Sequence, residues 1–108
     1  MRKLPKLVRD KIKDIAHERF SRDFKWHHAT RPEEYWLLLV NKLAEEANEV
    51  KYALSKDEMQ EELADLQEVI DAIIDFKKLS RRQINKIKRN KKRHKGGFKE
   101  GIVWDNPS

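Results

Sequence analysis

Two short acidic patterns carry the chemistry that this chain is equipped to do. Glu45, Glu46 and Glu49 form E-E-x-x-E, and Glu62 and Asp65 form E-x-x-D. Residues three apart on a helix are neighbours, so each pattern sets two carboxylates on one face. Twelve residues separate Glu49 from Glu62, which lets the two sets meet if their helices fold back on one another. Carboxylates brought together repel unless a cation sits among them. A hard divalent ion suits them best, because Mg²⁺ and Mn²⁺ favour oxygen ligands and the chain has no cysteine to compete.

The surrounding charge strengthens that expectation. From Glu45 to Asp75 there are eleven carboxylates and only two cations, Lys51 and Lys56, a balance of −9 inside a chain whose net charge is +6. A solvated helix face usually interleaves both signs, and unbalanced neighbours destabilise the helix by a few tenths of a kcal/mol (~0.2–0.5) per pair. The plain alternative is an acidic, solvated face. Glu68 and Asp71 repeat the E-x-x-D spacing, so the pattern arises cheaply, and Glu62 and Asp65 are preferred for being nearer the loop. A di-iron bundle site would need Glu-x-x-His, which does not occur, and His17, His27, His28 and His94 read as surface or capping residues.

The elements that must position these carboxylates follow from apolar spacing. Leu4, Leu7, Val8, Ile12, Ile15 and Ala16 predict a first amphipathic helix over roughly 5–20, packed by Leu7, Ile12 and Ile15. Residues 23–29 alternate and are aromatic, so an extended connection or a short strand is expected. Thr30 is placed to cap a long helix, with Pro32 just inside and Glu33 and Glu34 in its first turn. That helix should run to about Ser55, burying Trp36, Leu39, Val40, Leu43, Ala47, Val50 and Leu54. Ser55 or Asp57 should cap the next, about 58–78, with Met59, Leu63, Leu66, Ile70, Ile73 and Phe76 inward. So short a break predicts an antiparallel hairpin. Ser80 should open a fourth helix, Arg81 to about Lys95, stopped by Gly96-Gly97 and mostly solvated. The apolar tail, Phe98 to Trp104, should lie extended across the body, beside residues 24–28.

The expected class is therefore all-α: one domain over 1–108, a helical hairpin with flanking helices, of four-helix-bundle type completed by oligomerisation. The basic start, Met1 to Lys6, lacks the apolar core of a signal peptide, and no run of apolar residues is long enough for a membrane span. A soluble, cytoplasmic protein is the expectation. Charge is segregated along the chain, since residues 77–100 hold twelve basic side chains against one acidic. Such a basic excess binds polyanions, and does not by itself separate nucleic acid from a phosphorylated small molecule.

Taken together, Lys6-Leu7-Val8-Arg9-Asp10-Lys11-Ile12, the E-E-x-x-E and E-x-x-D pair, and Gly96-Gly97-Phe98 leading to Gly101-Ile102-Val103 resemble the MazG-like all-α nucleotide pyrophosphohydrolases, particularly those similar to phosphoribosyl-ATP pyrophosphohydrolase. The resemblance spans nearly the whole chain. It implies a helical homodimer or homotetramer and Mg²⁺-dependent hydrolysis of a nucleoside triphosphate to monophosphate and pyrophosphate. By motif, Glu46, Glu49, Glu62 and Asp65 would hold the metal, with Glu45 a further ligand or the group that orients water. Lys92, Arg93 and Lys95 would receive phosphates, helped by Arg9 and Lys11 from the same or a partner subunit. Two positions depart from the pattern: Lys13 stands where relatives often have Pro, and Lys95 where they have Arg. Lysine keeps the charge and loses the planar fork that grips phosphate in two places.

Two rival readings use the same residues. In one, residues 77–99 contact DNA or RNA and the acidic hairpin is scaffold. In the other, basic and acidic segments pair between subunits of a structural adaptor. Trp26 and Trp36 offer faces for a nucleobase, although filling the core is the favoured role for both.

Overall fold

The computed structural model describes residues 4–20 and 24–106. Asp23 and the first three residues of the basic start lie outside them. The described residues form four helices and no strand: α1 (Ile12–Arg19), α2 (Pro32–Lys51), α3 (Lys56–Phe76) and α4 (Arg81–Lys95). No helix is long and apolar enough to cross a membrane among the described residues.

Local chemistry explains most of the helix ends. Pro32 opens α2 at a position where its missing N–H costs nothing, with Glu33 and Glu34 in the first turn beside the positive end of the helix dipole. The N-cap is Arg31 rather than the expected Thr30, and no side chain caps that end. Tyr52 terminates α2 by donating its N–H to the Glu49 carbonyl at 3.2 Å, and Leu54, expected in the core, lies almost fully exposed in the connection. Ser55 then caps α3, its Oγ accepting from the Glu58 N–H at 3.1 Å. Ser80 does the same for α4 through Gln83 N–H at 3.0 Å, and Gly96 ends that helix with a φ of 82°. Both serines are where the sequence places them.

The centre of the molecule is the contact between α2 and α3. Leu39 is 1% exposed, and Val69 and Ile74 are buried with it. Near the start of α2, Tyr35 meets the Phe76 ring edge-on at 4.9 Å and Trp36 stacks on it at 6.0 Å, while Lys77 Nζ lies 4.2 Å over the Trp36 ring. Trp36 is thus a packing residue. Each of these helices also carries exposed apolar residues: Leu37 and Val40 on α2, Leu63 and Ile70 on α3. The expected core positions Val40, Ala47, Leu63 and Ile70 are exposed, because two helices share one seam and leave the rest of each apolar stripe outside. The radius of gyration, 18.0 Å, exceeds the roughly 13 Å of a compact chain of this length.

Three other expectations change. The first helix is shorter than 5–20, and none of α1 is buried; Ile12 and Ile15 are exposed. Residues 6–8 are instead half-buried in irregular backbone that leads to Arg9, whose guanidinium is fixed on α3. Residues 24–30 form no strand, since an isolated strand leaves its backbone groups unpaired. Their aromatics pack edge-on with one another, Phe20 on Phe24 and Phe24 on Trp26, at 6.0 and 6.1 Å. Finally, the tail does not lie across the body: Phe98, Ile102, Val103 and Trp104 are exposed.

Candidate metal centre

The pairing of α2 with α3 assembles carboxylates from both expected patterns. One oxygen each from Glu46, Glu62 and Asp65 lies within 4.8 Å of the other two. The cap at Ser55 fixes where α3 begins, and the three-residue spacing of Glu62 and Asp65 then turns both toward α2.

Glu46 is the least ordinary of the three. It is 3% exposed, the only buried charged residue among those described. Its Oε1 lies 3.3 Å from Lys42 Nζ, while its Oε2 is buried with no hydrogen-bond partner. A buried oxygen left in that condition costs on the order of 1–3 kcal/mol, and more when charged. A cation among the three carboxylates would supply the missing contact. The donor set is all oxygen, as a hard divalent ion requires, so the residues fit Mg²⁺ or Mn²⁺.

Lys42 is the residue that pattern reading overlooked. Its side chain is 14% exposed and bridges Glu45 and Glu46, with Nζ 3.3 Å from an oxygen of each. Its position three and four residues before the acidic pair is the signal that would have revealed it, since those spacings bring side chains together on a helix. The ammonium holds one oxygen of Glu46 and leaves the other without a hydrogen-bond partner.

The remaining expected site residues fall in different places. Glu49, one turn beyond Glu45 and Glu46, is half-buried and stands outside the group of three. Arg9 donates from Nη2 to Asp65 Oδ1 at 2.7 Å, so this expected phosphate ligand is seated on an expected metal ligand. Lys11 is the N-cap residue of α1 and exposed. Lys92, Arg93 and Lys95 lie exposed in the last turn of α4, where Arg93 donates to Asn90 Oδ1 at 2.9 Å. The fourth helix is joined to α3 through Arg81, which donates to Asp75 Oδ1 at 3.0 Å and lies 3.8 Å from Asp71.

That last contact separates the two E-x-x-D pairs. Asp71 faces Arg81, whereas Glu62 and Asp65 face Glu46. The histidines serve locally: His27 pairs with Glu34 at 2.9 Å, and His94 Nδ1 meets the Asn90 carbonyl at 2.8 Å. Set against models of known families, curated proteins and solved structures, the chain finds no match.

Proposed function

We propose that this chain is a Mg²⁺-dependent pyrophosphohydrolase that cleaves a nucleoside triphosphate to its monophosphate and pyrophosphate, with Mn²⁺ as an alternative ion. The observation that carries the reading is Glu46: a carboxylate taken out of water, with one oxygen held by Lys42, the other buried without a hydrogen-bond partner, and Glu62 and Asp65 close by. A protein that gained nothing from this arrangement would be more stable with an apolar residue there. The motif resemblance supplies the reaction class.

Glu46, Glu62 and Asp65 would hold the ion, with Glu49 as the fourth carboxylate of the motif. When bound, such an ion polarises phosphate oxygens and makes coordinated water a stronger nucleophile. The chain's own groups do the rest. Glu45, anchored by Lys42, orients the water that attacks phosphorus at the α–β linkage. Lys42 keeps Glu46 turned toward its neighbours. Arg9 leaves Asp65 for the phosphates of the substrate, assisted by Lys11, and Lys92, Arg93 and Lys95 stabilise charge on the departing pyrophosphate.

Assembly belongs to the same proposal. Contacts of Tyr35 and Trp36 with Phe76, and of Glu46 with Glu62, support the expected antiparallel hairpin. Its uncovered residues Leu37, Val40, Leu63 and Ile70 would pack against a second copy, giving a homodimer or homotetramer in which basic residues of one subunit serve the carboxylates of another. The cytoplasm, where nucleoside triphosphates are abundant, is the proposed location.

The test is pyrophosphate release from a panel of ordinary, deoxy and modified nucleoside triphosphates, with and without Mg²⁺. Turnover that needs Mg²⁺ and falls about a hundredfold or more in Glu62→Gln is the expected outcome. Either full activity in that folded variant or no turnover across the panel would remove the assignment.

A further inference from the structure

Nine of the fifteen residues of α4 are lysine or arginine and none is acidic. The helix does not present them evenly. At about 100° per residue, Arg82, Lys86, Arg89 and Arg93 recur four, three and four positions apart and make one stripe, whereas Lys88, Lys92 and Lys95 fall on another side. The first stripe lines an open groove together with Ser80, Gln83 and Asn90. Among the described residues, Arg82, Lys86 and Arg89 form no ion pair, and neighbouring like charges at these spacings destabilise the helix that carries them. Only Arg93 of this stripe belongs to the phosphate-binding set proposed above. The other three cations have no part in that reaction.

We infer that the Arg82–Lys86–Arg89 stripe of α4 is a docking surface for the phosphate backbone of duplex DNA. Several observations select this occupant. From Arg82 to Arg93 the stripe spans twelve residues, about 16 Å of straight helix, and a single α-helix fits the major groove of B-form DNA, about 12 Å wide. A-form RNA has a major groove too narrow for side chains to read, and single strands are usually gripped by aromatic stacking. No aromatic residue lines the groove. Guanidinium groups with Gln83 and Asn90 between them suit phosphate oxygens and groove edges.

A second copy of the chain is the main rival, because α3 carries exposed Glu61 and Glu68. It cannot balance the charge. Each copy is itself +6, so any homo-oligomer stays cationic, and Asp71 and Asp75 already serve Arg81. A polyanion neutralises the excess directly and releases its own counterions in doing so.

Binding of a short fluorescent DNA duplex, followed by anisotropy over a range of salt concentrations, tests the assignment on the full-length protein. The wild type should bind with an affinity that falls steeply as salt rises. Arg82→Gln/Lys86→Gln/Arg89→Gln should lower affinity at least tenfold and reduce the log–log salt slope by about 2–3, near 0.9 per lost phosphate contact. Lys88→Gln/Lys91→Gln/Lys99→Gln, which loses the same charge elsewhere, should change both much less. Circular dichroism verifies that α4 is retained, and pyrophosphate release should be unchanged in the first variant, which separates this surface from the metal centre. Equal losses in the two variants would reduce the effect to net charge and overturn the assignment. So would preference for single strands or RNA, no DNA binding at all, or salt-sensitive self-association lost in the first variant without DNA binding.

Discussion

The α2–α3 seam and α4 each concentrate charge of one sign, and they differ in where that charge sits. At the seam, Glu46 is enclosed beside Glu62 and Asp65, with Lys42 as the cation held against it. On α4 the cations face water, and among the described residues Arg81 alone is paired with carboxylates of α3. The comparison teaches that charge density alone says little about a site. An exposed excess is screened within roughly 8–10 Å at ordinary ionic strength and suits a large, mobile polyanion. An enclosed oxygen cannot be screened, so it requires a small partner that fits between fixed ligands.

The sharpest way to break this contrast is to remove apolar packing from each region. Leu39→Ala at the seam should cost about 3 kcal/mol by chemical denaturation, because it empties the best-buried site among the described residues. Ile84→Ala on α4 should cost well under about 1 kcal/mol, since Ile84 is already exposed. Comparable losses would mean that α4 packs as part of the same core.

Removing the internal cation probes the seam more finely. Lys42→Met should destabilise the protein by about 2 kcal/mol in the presence of a chelator, by leaving Glu45 and Glu46 without their shared ammonium. Mg²⁺ should restore much of that loss, because an ion that binds only the folded state stabilises it. Thermal melts with and without Mg²⁺ read both effects. An identical deficit under the two conditions would detach Lys42 from the metal centre.

The sequence made the seam more legible than its surroundings. Ser55, Ser80 and Gly96 mark helix ends by local hydrogen bonding and backbone preference, which act within a few residues and are therefore readable from them. Glu46, Glu62 and Asp65 were legible because helix spacing and a short connection restrict which carboxylates can meet. Long-range choices were not. Whether residues 5–11 continue α1 depends on Arg9 finding Asp65, fifty-six residues away. Residues 24–30 could become a strand only beside a partner edge, and none is present among the described residues. Val40, Leu63 and Ile70 have the spacing of core residues, but whether they are covered depends on what packs outside the α2–α3 seam. Lys42 stands just before the acidic span that opens at Glu45, and only the reach of its side chain over one helical turn joins it to Glu45 and Glu46.

The most direct measurement is Mn²⁺ binding followed by electron paramagnetic resonance, comparing the native chain with Glu46→Gln. The account expects saturable uptake by the native protein, displaced by Mg²⁺, and a loss of affinity of at least about tenfold in the folded variant, whose neutral amide no longer offers an anionic ligand. Equal uptake by the two proteins, or no saturable uptake by either, would contradict the claim that Glu46, Glu62 and Asp65 form a cation site.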